Sequence, residues 1–384
     1  MAQGKVWFGI LGPVEMCVGD TVVPLGTPKQ RAVLAMLVIH RNRAVATDQL
    51  INVAWAERPP KGARATLHVY VSNLRRLMRT SAVDRQTILA SAPPGYRLSV
   101  PDSDCDLGRF IAERTDGFHA AAAAHFERAG RHFSAALAEW RGPVLDDLRD
   151  FTFFDCFASA LAEDKLVTEI AHAEAEIACG RFSSVINSLE ALTAEQPYRE
   201  PLWAQLITAY YLAQRQSDAL EAYQRLRTAL AEGLRTEPTP KMRALHGKIL
   251  RQEPLDAAQI AQSHAEETLI TIKERDASTE ADRSQCPSLH AVDGHSHFLL
   301  AMSTRIGRSP DNDIVLADAK VSRHHAAIVD TGSNFVIADL RSANGVYVRG
   351  RRINPSANLS DGDDIGIGDH QFTFQITRRE STDG

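Results

Sequence analysis

The pattern of apolar and polar residues changes three times along the chain. Residues 1–103 mix short strand-like apolar runs with helical periodicity, and residues 104–250 are helical and rich in alanine, leucine and glutamate. Residues 251–283 are polar and acidic, whereas residues 284–384 alternate short apolar runs with turn residues. The pattern predicts a multidomain α+β chain with a mixed N-terminal domain, an all-α domain, a linker and an all-β sandwich.

The N-terminal domain is predicted to begin with short strands and to continue with three helices. Thr27 and Pro28 indicate a helix start, because threonine caps the first turn and proline fits the first helical position. The predicted strands and helices are, in order, 6–13, 21–25, 31–39, 46–55 and 62–79. Pro59-Pro60 separates the second helix from the third.

The third of these helices has one apolar and one basic face. Apolar residues recur at spacings of three and four, which predicts a buried stripe. This stripe consists of Leu67, Val71 or Tyr70, Leu74, and Leu77 or Met78. The other face presents Arg64, His68, Ser72, Asn73, Arg75, Arg76 and Arg79. Such a face suits a DNA major groove, although any amphipathic surface helix has the same periodicity.

A hairpin and a local excess of positive charge favour DNA binding over an ordinary surface helix. Strand-like runs at 87–90 and 96–100 flank Pro93-Pro94-Gly95, and a helix followed by a hairpin is the layout of a winged helix. Residues 1–103 carry 13 Lys and Arg against 6 Asp and Glu, a net charge of +7, whereas the whole chain carries −5. A basic module on an acidic protein is typical of nucleic-acid binding.

Two segments of this domain resemble the OmpR-type winged helix: Val-Ser-Asn-Leu-Arg-Arg at 71–76 and Gly-Tyr-Arg at 95–97. The resemblance covers nearly all of residues 5–101 and implies binding to promoter DNA. It implies base contacts by His68, Ser72 and Asn73, backbone contacts by Arg75 and Arg76, and a minor-groove contact by Arg97. Arg64, an arginine on the same helix face, is expected to contact phosphate as well.

The all-α domain contains an internal repeat with a period of 34 residues. Residues 179–186 align with residues 213–220, and Leu189 aligns with Tyr223. This period is typical of tetratricopeptide-like helical hairpins, which bury a continuous core by stacking. The polar segment after this domain is interpreted as a partly ordered linker, with a strand expected at Thr268–Lys273.

A winged helix followed by this helical domain resembles the Streptomyces antibiotic regulatory protein family. The matching segments are Arg141-Gly142-Pro143 with Leu145, and Tyr198–Trp203. In that family the second part is the bacterial transcriptional activator domain. The resemblance implies transcription activation, contact with RNA polymerase and self-association, with a homodimer as one expected form.

Three short loops in the C-terminal part carry groups that bind anions. They lie at Arg305–Arg308, Val321–His325 and Leu340–Gly345, and strand-like runs separate them. A phosphate brings nearly two negative charges and three acceptor oxygens, so guanidinium and hydroxyl donors suit it in combination. The order and spacing of the loops resemble the forkhead-associated (FHA) domain, which binds phosphothreonine.

The FHA resemblance implies a role for individual residues of these loops. The phosphopeptide ligands it implies are Arg308, Ser322 and Arg323 for the phosphate, Asn344 for the peptide backbone, and Ser342 as a weaker contact. The residues it implies for loop structure are Gly307, His325 and Gly345. Val346 stands where the family usually has threonine, and this departure concerns loop support more than phosphate contact.

The three domains in this order resemble the mycobacterial EmbR type of regulator across essentially the whole chain. The resemblance implies a transcriptional regulator whose FHA domain docks on a phosphorylated Ser/Thr protein kinase, with cell-wall arabinosyltransferase genes as targets. The residues themselves indicate only a DNA-binding domain joined to a phosphate-binding domain. A second hypothesis fits the same motifs: the FHA domain sequesters or inhibits the phosphorylated kinase, and DNA binding is secondary.

Other function classes find little support in the sequence. A run of about 18 apolar residues, as a membrane span needs, does not occur, and Met1–Lys5 does not begin a signal peptide. There is no phosphate-binding loop of the Gly-x-x-x-x-Gly-Lys-Ser/Thr type and no recognisable set of nucleophile, base and orienting residue, so neither enzyme activity nor a cofactor is expected. Five scattered cysteines and the histidines lack metal-ligand spacing, so no metal site is expected, and free thiols indicate a cytoplasmic protein.

Overall fold

A computed structural model describes residues 5–55, 59–78, 88–233, 236–280, 285–291, 296–299, 303–310, 312–330 and 335–378. The described residues form two compact units. The first takes in those within Met1–Ile111, Ala138–Asp164 and Thr271–Gly384, and the second those within Ala112–Leu137 and Lys165–Ile270. None of the helices in these ranges is both long and apolar enough to span a lipid bilayer.

The N-terminal domain has the predicted winged-helix architecture. Its helices are α1 (Pro28–Ile39), α2 (Thr47–Trp55) and α3 (Ala63–Leu77). Its first antiparallel sheet, in the order β1-β2-β3, consists of β1 (Val6–Gly9), β2 (Glu15–Val18) and β3 (Thr21–Val22). The second sheet, in the order β4-β6-β5, consists of β4 (Ala44–Ala46), β5 (Leu89–Ala92) and β6 (Gly95–Leu98). The β5–β6 hairpin is the wing that the sequence predicted after α3.

Helix α1 forms the centre of this domain. It begins as predicted, with the Thr27 hydroxyl accepting a hydrogen bond from the Gln30 backbone N–H at 3.3 Å and Pro28 in the first turn. Nine of its 12 residues are buried, including every residue from Ala32 to Ile39. Since both faces are apolar, the helix packs against neighbours on all sides, and α3 and the wing rest on it.

The start of the second predicted domain packs against the first sheet within the same unit. The fully buried carboxylate of Asp106 accepts hydrogen bonds from the backbone N–H groups of Ile10 and Leu11, both at 2.8 Å, and from Arg141 Nη2 at 3.0 Å. Arg141 also pairs with Glu15 at 2.7 Å. The boundary predicted after residue 103 therefore marks a change in the sequence pattern, whereas residues on both sides of it belong to one compact unit.

The middle of the chain is helical, as predicted. Its helices are α4 (Asp106–Ala122), α5 (Phe126–Ala138), α6 (Asp155–Ala178), α7 (Phe182–Glu195), α8 (Glu200–Leu212), α9 (Gln216–Gly233), α10 (Pro240–Leu250) and α11 (Ala257–Glu280). Buried residues of α6 to α10 form one apolar cluster. Helices α7 and α9 begin 34 residues apart, which confirms the repeat.

Four helix ends in this region close in the same way. A residue with positive φ follows the helix, and the next backbone N–H donates to the carbonyl five residues earlier. The positive-φ residues are Ala124, Gly180, Gln214 and Gln252. The bonds are His125 to Ala120, Arg181 to Glu176, Arg215 to Tyr210 and Glu253 to Lys248, at 2.8–2.9 Å. Only one of the four positions is glycine, so the turn signal in the sequence is weak at the other three.

The segment predicted as a linker contains helix α11, and the strand expected at Thr268–Lys273 is wrong. The β-branched residues there favour a strand locally. Ala261, Ala265 and Leu269, spaced by four residues, are all buried, which is the spacing of one helix face. Packing of that face overrides the local preference.

A buried carboxylate in the second unit holds α11 to α6. His264 Nδ1 lies 2.7 Å from Glu174 Oε1, and Gln205 Nε2 donates to the same oxygen at 2.8 Å. The hydrogen bond to Glu174 raises the pKa of His264, and burial raises the pKa of Glu174. Protonated His264 beside the Glu174 carboxylate therefore stabilises the fold.

We expect this contact to make the second unit less stable as pH rises. The contribution of His264 is complete below the unfolded pKa of about 6.5 and is lost as pH rises through the higher folded pKa. His264→Gln should flatten that part of the pH dependence, measured as the free energy of unfolding in urea across a pH series. His246→Gln is the matched control, because burial lowers the pKa of His246 and gives the opposite sign. Equal slopes for the wild type and His264→Gln would contradict the expectation.

The C-terminal domain is a sandwich of two sheets. The five-stranded sheet has the order β10-β9-β11-β12-β15 and consists of β9 (Ser303–Gly307), β10 (Ile314–Val315), β11 (Ala326–Asp330), β12 (Phe335–Asp339) and β15 (Ser356–Leu359). The six-stranded sheet has the order β14-β13-β16-β17-β7-β8 and consists of β7 (Gln285–Ala291), β8 (Ser296–Phe298), β13 (Val346–Val348), β14 (Arg351–Arg352), β16 (Asp364–Ile367) and β17 (His370–Arg378). The inward residues of both sheets form one apolar core, so the loops between strands stand on a rigid base.

Candidate functional site

Three loops of the sandwich are joined by hydrogen bonds into one surface. The Arg308 backbone N–H donates to the Ser322 carbonyl at 2.9 Å, and the Ser309 N–H donates to the Arg323 carbonyl at 3.0 Å. The Ala343 N–H donates to the Ser322 hydroxyl oxygen at 3.1 Å. The predicted phosphate ligands therefore lie on neighbouring loops, although they are up to 15 positions apart in the sequence.

The side chains on these loops provide donors of several kinds. Arg308 and Arg323 are exposed, and Arg308 Nε donates to the Val321 carbonyl at 3.3 Å. Because the Ser322 oxygen accepts from Ala343, its hydroxyl proton can donate to a ligand. Two guanidinium groups beside a hydroxyl form a donor set that matches a phosphate dianion.

Asn344 is oriented by the preceding loop. Its Nδ2 donates to the Lys320 carbonyl at 2.7 Å, while the residue itself is exposed. An anchored carboxamide at the rim of a phosphate site suits hydrogen bonding to an extended peptide backbone.

His325 joins two of the loops from below. The side chain is fully buried, and its Nδ1 accepts a hydrogen bond from the Ser322 N–H at 3.0 Å. The ring proton therefore belongs on Nε2, which donates to the Gly345 carbonyl at 3.1 Å. The ring thus links the Ser322 and Asn344 loops, and the structural role expected for His325 would act through these two bonds.

Asn312 supports the site and was missed by the sequence reasoning. It is only 7% exposed, and its Nδ2 donates to the carbonyls of Ser309 and Arg323, both at 2.7 Å. Its Oδ1 lies 3.2 Å from His324 Nδ1. Asn312 lies in a polar turn, Ser-Pro-Asp-Asn-Asp, where nothing in the sequence distinguishes it from a solvent-facing residue.

The two glycines and Ser342 shape the loops. A Cβ at Gly307 would collide with the Arg323 carbonyl, and Gly345 has a φ of +79°, which side chains disfavour. Ser342 is buried, and its hydroxyl accepts from the Gly345 N–H at 2.9 Å. Its geometry therefore supports the loop more directly than it supports the expected peptide contact.

The second candidate surface is the outward face of α3 in the winged helix. Its exposed residues are Arg64, Ala65, His68, Val69, Ser72 and Arg76. His68 Nδ1 lies 2.7 Å from the Tyr96 hydroxyl of the wing, and Arg97 on the same strand is exposed. Arg64 pairs with the exposed Asp48 at 2.9 Å. Helix α3 and the wing thus present adjoining polar groups on one surface.

Two of the predicted DNA contacts instead hold the domain together. Asn73 is half-buried, and its Nδ2 donates to Gln30 Oε1 of α1 at 3.3 Å. Arg75 donates to the Leu89 carbonyl at 2.8 Å and to the Ser91 hydroxyl at 3.0 Å, so it fixes the wing on α3. Both remain predictions as DNA contacts, but the geometry supports a positioning role. Val69, which belongs to neither predicted face, is 55% exposed beside these polar residues.

Comparison with known proteins assigns all three parts of the chain. The model of the transcriptional regulatory protein C-terminal domain matches residues 21–98, that of the bacterial transcriptional activator domain matches 105–250, and that of the FHA domain matches 304–368. The transcriptional regulatory protein EmbR of Mycobacterium tuberculosis is 60% identical over 377 residues, which cover 98% of this chain and 96% of EmbR. The chain belongs to the EmbR family of transcriptional regulators.

Relatives of the EmbR family agree with the observed architecture. The solved structure of M. tuberculosis EmbR in complex with a low-affinity phosphopeptide has a TM-score of 0.93 and 58% identity, covering 98% of this chain and 99% of that one. The regulatory protein DnrI of Streptomyces peucetius is 31% identical and covers 64% of this chain and 93% of DnrI. The predicted order of winged helix, helical activator domain and FHA sandwich is thereby confirmed.

Proposed function

We propose that this EmbR-family regulator binds promoter DNA through α3 and the wing, and that a phosphothreonine on a Ser/Thr protein kinase binds its FHA domain and controls it. The observation that supports this most is the joined donor set of Arg308, Ser322, Arg323 and Asn344. The phosphopeptide in the structure of M. tuberculosis EmbR supports the same use of the domain.

The finer parts of the proposal follow from the family. The target genes are cell-wall arabinosyltransferase genes, and the protein acts in the cytoplasm with RNA polymerase as a partner and a homodimer as one expected form. It catalyses no reaction, uses no cofactor and binds no metal. Its relatives are named as regulators, in agreement with this part of the proposal.

The regulatory part is tested by the affinity for DNA before and after treatment with an active Ser/Thr kinase. A tighter gel shift after treatment is expected, and unchanged affinity would contradict kinase control. The alternative function, restraint of the kinase, predicts a different result. In that case the full chain would inhibit the phosphorylated kinase on a bystander substrate, and Ser322→Ala would remove the inhibition.

The DNA-binding part predicts different effects for exposed and inward-facing residues of α3 and the wing. Arg76→Ala should remove about one phosphate contact, weaken binding to all sequences alike and lower the slope of log K against log salt by about 1. Arg97→Ala should remove the expected minor-groove contact and also weaken binding. Asn73→Ala should mainly lower thermal stability, because it loses its bond to α1. Titrations of a selected DNA site at several salt concentrations measure the slope. Arg227→Ala is the control, because it removes one positive charge from an exposed position on α9, outside the proposed DNA-binding surface. An equal change of the salt slope in Arg227→Ala would contradict the assignment of the DNA-binding surface to α3 and the wing.

A further inference from the structure

An arginine on strand β14 lies beside the loop that carries Asn344. In the antiparallel pair of β13 and β14, Tyr347 lies opposite Arg352, and the next pair along is Val348 with Arg351. The valines on either side of Tyr347 are buried in the sandwich core, whereas Tyr347 is exposed. Because side chains alternate across a strand, Tyr347 and Arg352 share the outward face of this sheet, and Arg351 lies on the other side of β14.

The guanidinium group of Arg352 covers Gly345, the residue after Asn344. A Cβ placed on Gly345 would lie under 3.0 Å from the Nε, Cζ and Nη2 atoms of Arg352. The glycine therefore has a second purpose besides its positive φ, since it leaves room for the arginine. This contact brings a positive charge to the backbone of the loop that carries the predicted peptide ligand.

Arg352 differs from neighbouring cations in forming no ion pair with any residue that the structure describes. The Lys320 ammonium group lies 2.8 Å from the Asp369 carboxylate. Arg349 donates two hydrogen bonds to the Asp363 carboxylate, at 2.5 and 2.7 Å. The guanidinium group of Arg352 is exposed, so it can pair with a carboxylate that a ligand brings.

The predicted phosphate ligands lie within a few peptide residues of Arg352. The Ser322 hydroxyl oxygen is 3.1 Å from the Ala343 backbone nitrogen. Ala343 precedes Gly345 by two residues, a span of at most about 7 Å. An extended peptide advances about 3.3 Å per residue, so roughly three residues connect a phosphothreonine at Ser322 with Arg352. Asn344, which is expected to hold the peptide backbone, lies on this path.

We propose that Arg352 binds the carboxylate of an aspartate or glutamate within about three residues of the phosphothreonine, and that it thereby selects acidic sequences among phosphorylated sites. This inference rests on the proposed function and deepens it. The donor set of the three loops suits any phosphothreonine, so the loops alone do not distinguish one phosphorylated site from another. An ion pair at the edge of the site supplies that distinction.

A purely structural role for Arg352 gives a different expectation. If its guanidinium group only supported the loop above Gly345, its replacement would weaken all phosphothreonine peptides by the same factor. Selection of an acidic residue requires instead that the loss depends on the peptide carboxylate. Reversal of the charge at this position should then also reverse the preference of the protein.

The test uses the full chain and phosphothreonine peptides selected on it from a degenerate library. At the flanking position with the strongest acidic preference, peptides that carry Glu, Gln or Lys are compared by isothermal titration. The wild type should bind the Glu peptide about two- to fivefold more tightly than the Gln peptide, the usual range for an exposed ion pair. Arg352→Gln should bind these two peptides equally, and Arg352→Glu should prefer the Lys peptide. Added salt should reduce the preference of the wild type.

Arg351→Gln is the matched control for this test. It removes the same charge from the neighbouring residue of β14, but from the side of the strand away from Gly345. We expect it to keep the preference for the Glu peptide. An equal loss of preference in Arg351→Gln and Arg352→Gln would overturn the inference, since the preference would then reflect the general charge of the hairpin.

The other outcomes separate this inference from the function on which it rests. Failure to select any phosphate-dependent peptide would overturn the proposed function and the inference together. Tight phosphate-dependent binding without a preference for an acidic flanking residue would overturn the inference alone. A loss in Arg352→Gln by the same factor for the Glu and Gln peptides would also overturn it, because the arginine would then act on the loop.

Discussion

Replacing Ser322 by alanine is expected to weaken phosphothreonine peptide binding by roughly 10- to 150-fold. A hydrogen bond to a charged group contributes about 1.5–3 kcal/mol, and about 1.4 kcal/mol corresponds to a factor of ten. The hydroxyl also accepts from the Ala343 N–H, so its loss loosens the Asn344 loop as well. Arg308→Ala should have an effect at least as large, since it removes a cationic donor. Isothermal titration with a selected phosphothreonine peptide measures both changes.

Two further variants test whether the loss of peptide binding is specific to the phosphate loops. Arg351→Ala removes an exposed arginine from β14 of the same domain and should change the affinity little. Arg308→Lys keeps the charge but lacks the planar guanidinium, so it should restore only part of the binding. If Ser322→Ala and Arg351→Ala bind the peptide equally well, the phosphate does not occupy the loops assigned to it.

Replacing Asp106 by alanine is expected to lower the free energy of unfolding by about 3–5 kcal/mol, the usual cost of leaving one partner of a buried ion pair alone. The substitution would leave the backbone N–H groups of Ile10 and Leu11 without their acceptor and would take from Arg141 one of its two carboxylate partners, the other being Glu15. These are the contacts that join the first sheet to the start of the activator domain. Thermal or urea denaturation of the full chain gives the change.

Two further variants test the origin of that loss. Asp48→Ala breaks only the exposed pair with Arg64 and should cost at most about 1 kcal/mol. Burial raises the pKa of Asp106, so ionisation of this carboxyl opposes folding as pH rises through the folded pKa. Asp106→Asn should remove that part of the pH dependence while keeping much of the side-chain shape. A loss in Asp106→Ala no larger than in Asp48→Ala would contradict the role assigned to the buried carboxylate.

The fold and the phosphate loops were predictable because their signals are local. Apolar residues that recur every two positions indicated strands, and those that recur every three to four positions indicated helices. The 34-residue repeat indicated the helical hairpins of α7 to α9. Arg308, Ser322 and Asn344 could be predicted as ligands because their loops have a characteristic order and spacing, which can be recognised without the tertiary contacts. The winged helix followed in the same way from α3 and its hairpin.

The remaining features depend on contacts between distant positions. Helical spacing placed Asn73 and Arg75 on the polar face. In the structure Asn73 instead forms a hydrogen bond with Gln30, and Arg75 forms hydrogen bonds with the wing. Asn312 lies in a turn and Asp106 is the first residue of α4. Only the folded chain shows which groups these two polar residues bond.

The central claim, that a phosphate site at one end of the chain controls DNA binding at the other, is tested most directly by genome-wide DNA capture. Wild-type protein and Arg308→Ala are compared in cells with and without Ser/Thr kinase activity. Both proteins should occupy the same DNA sites, because α3 and the wing are unchanged, but kinase activity should alter occupancy only for the wild type. An equal response of Arg308→Ala to the kinase, or no response of the wild type, would contradict the claim.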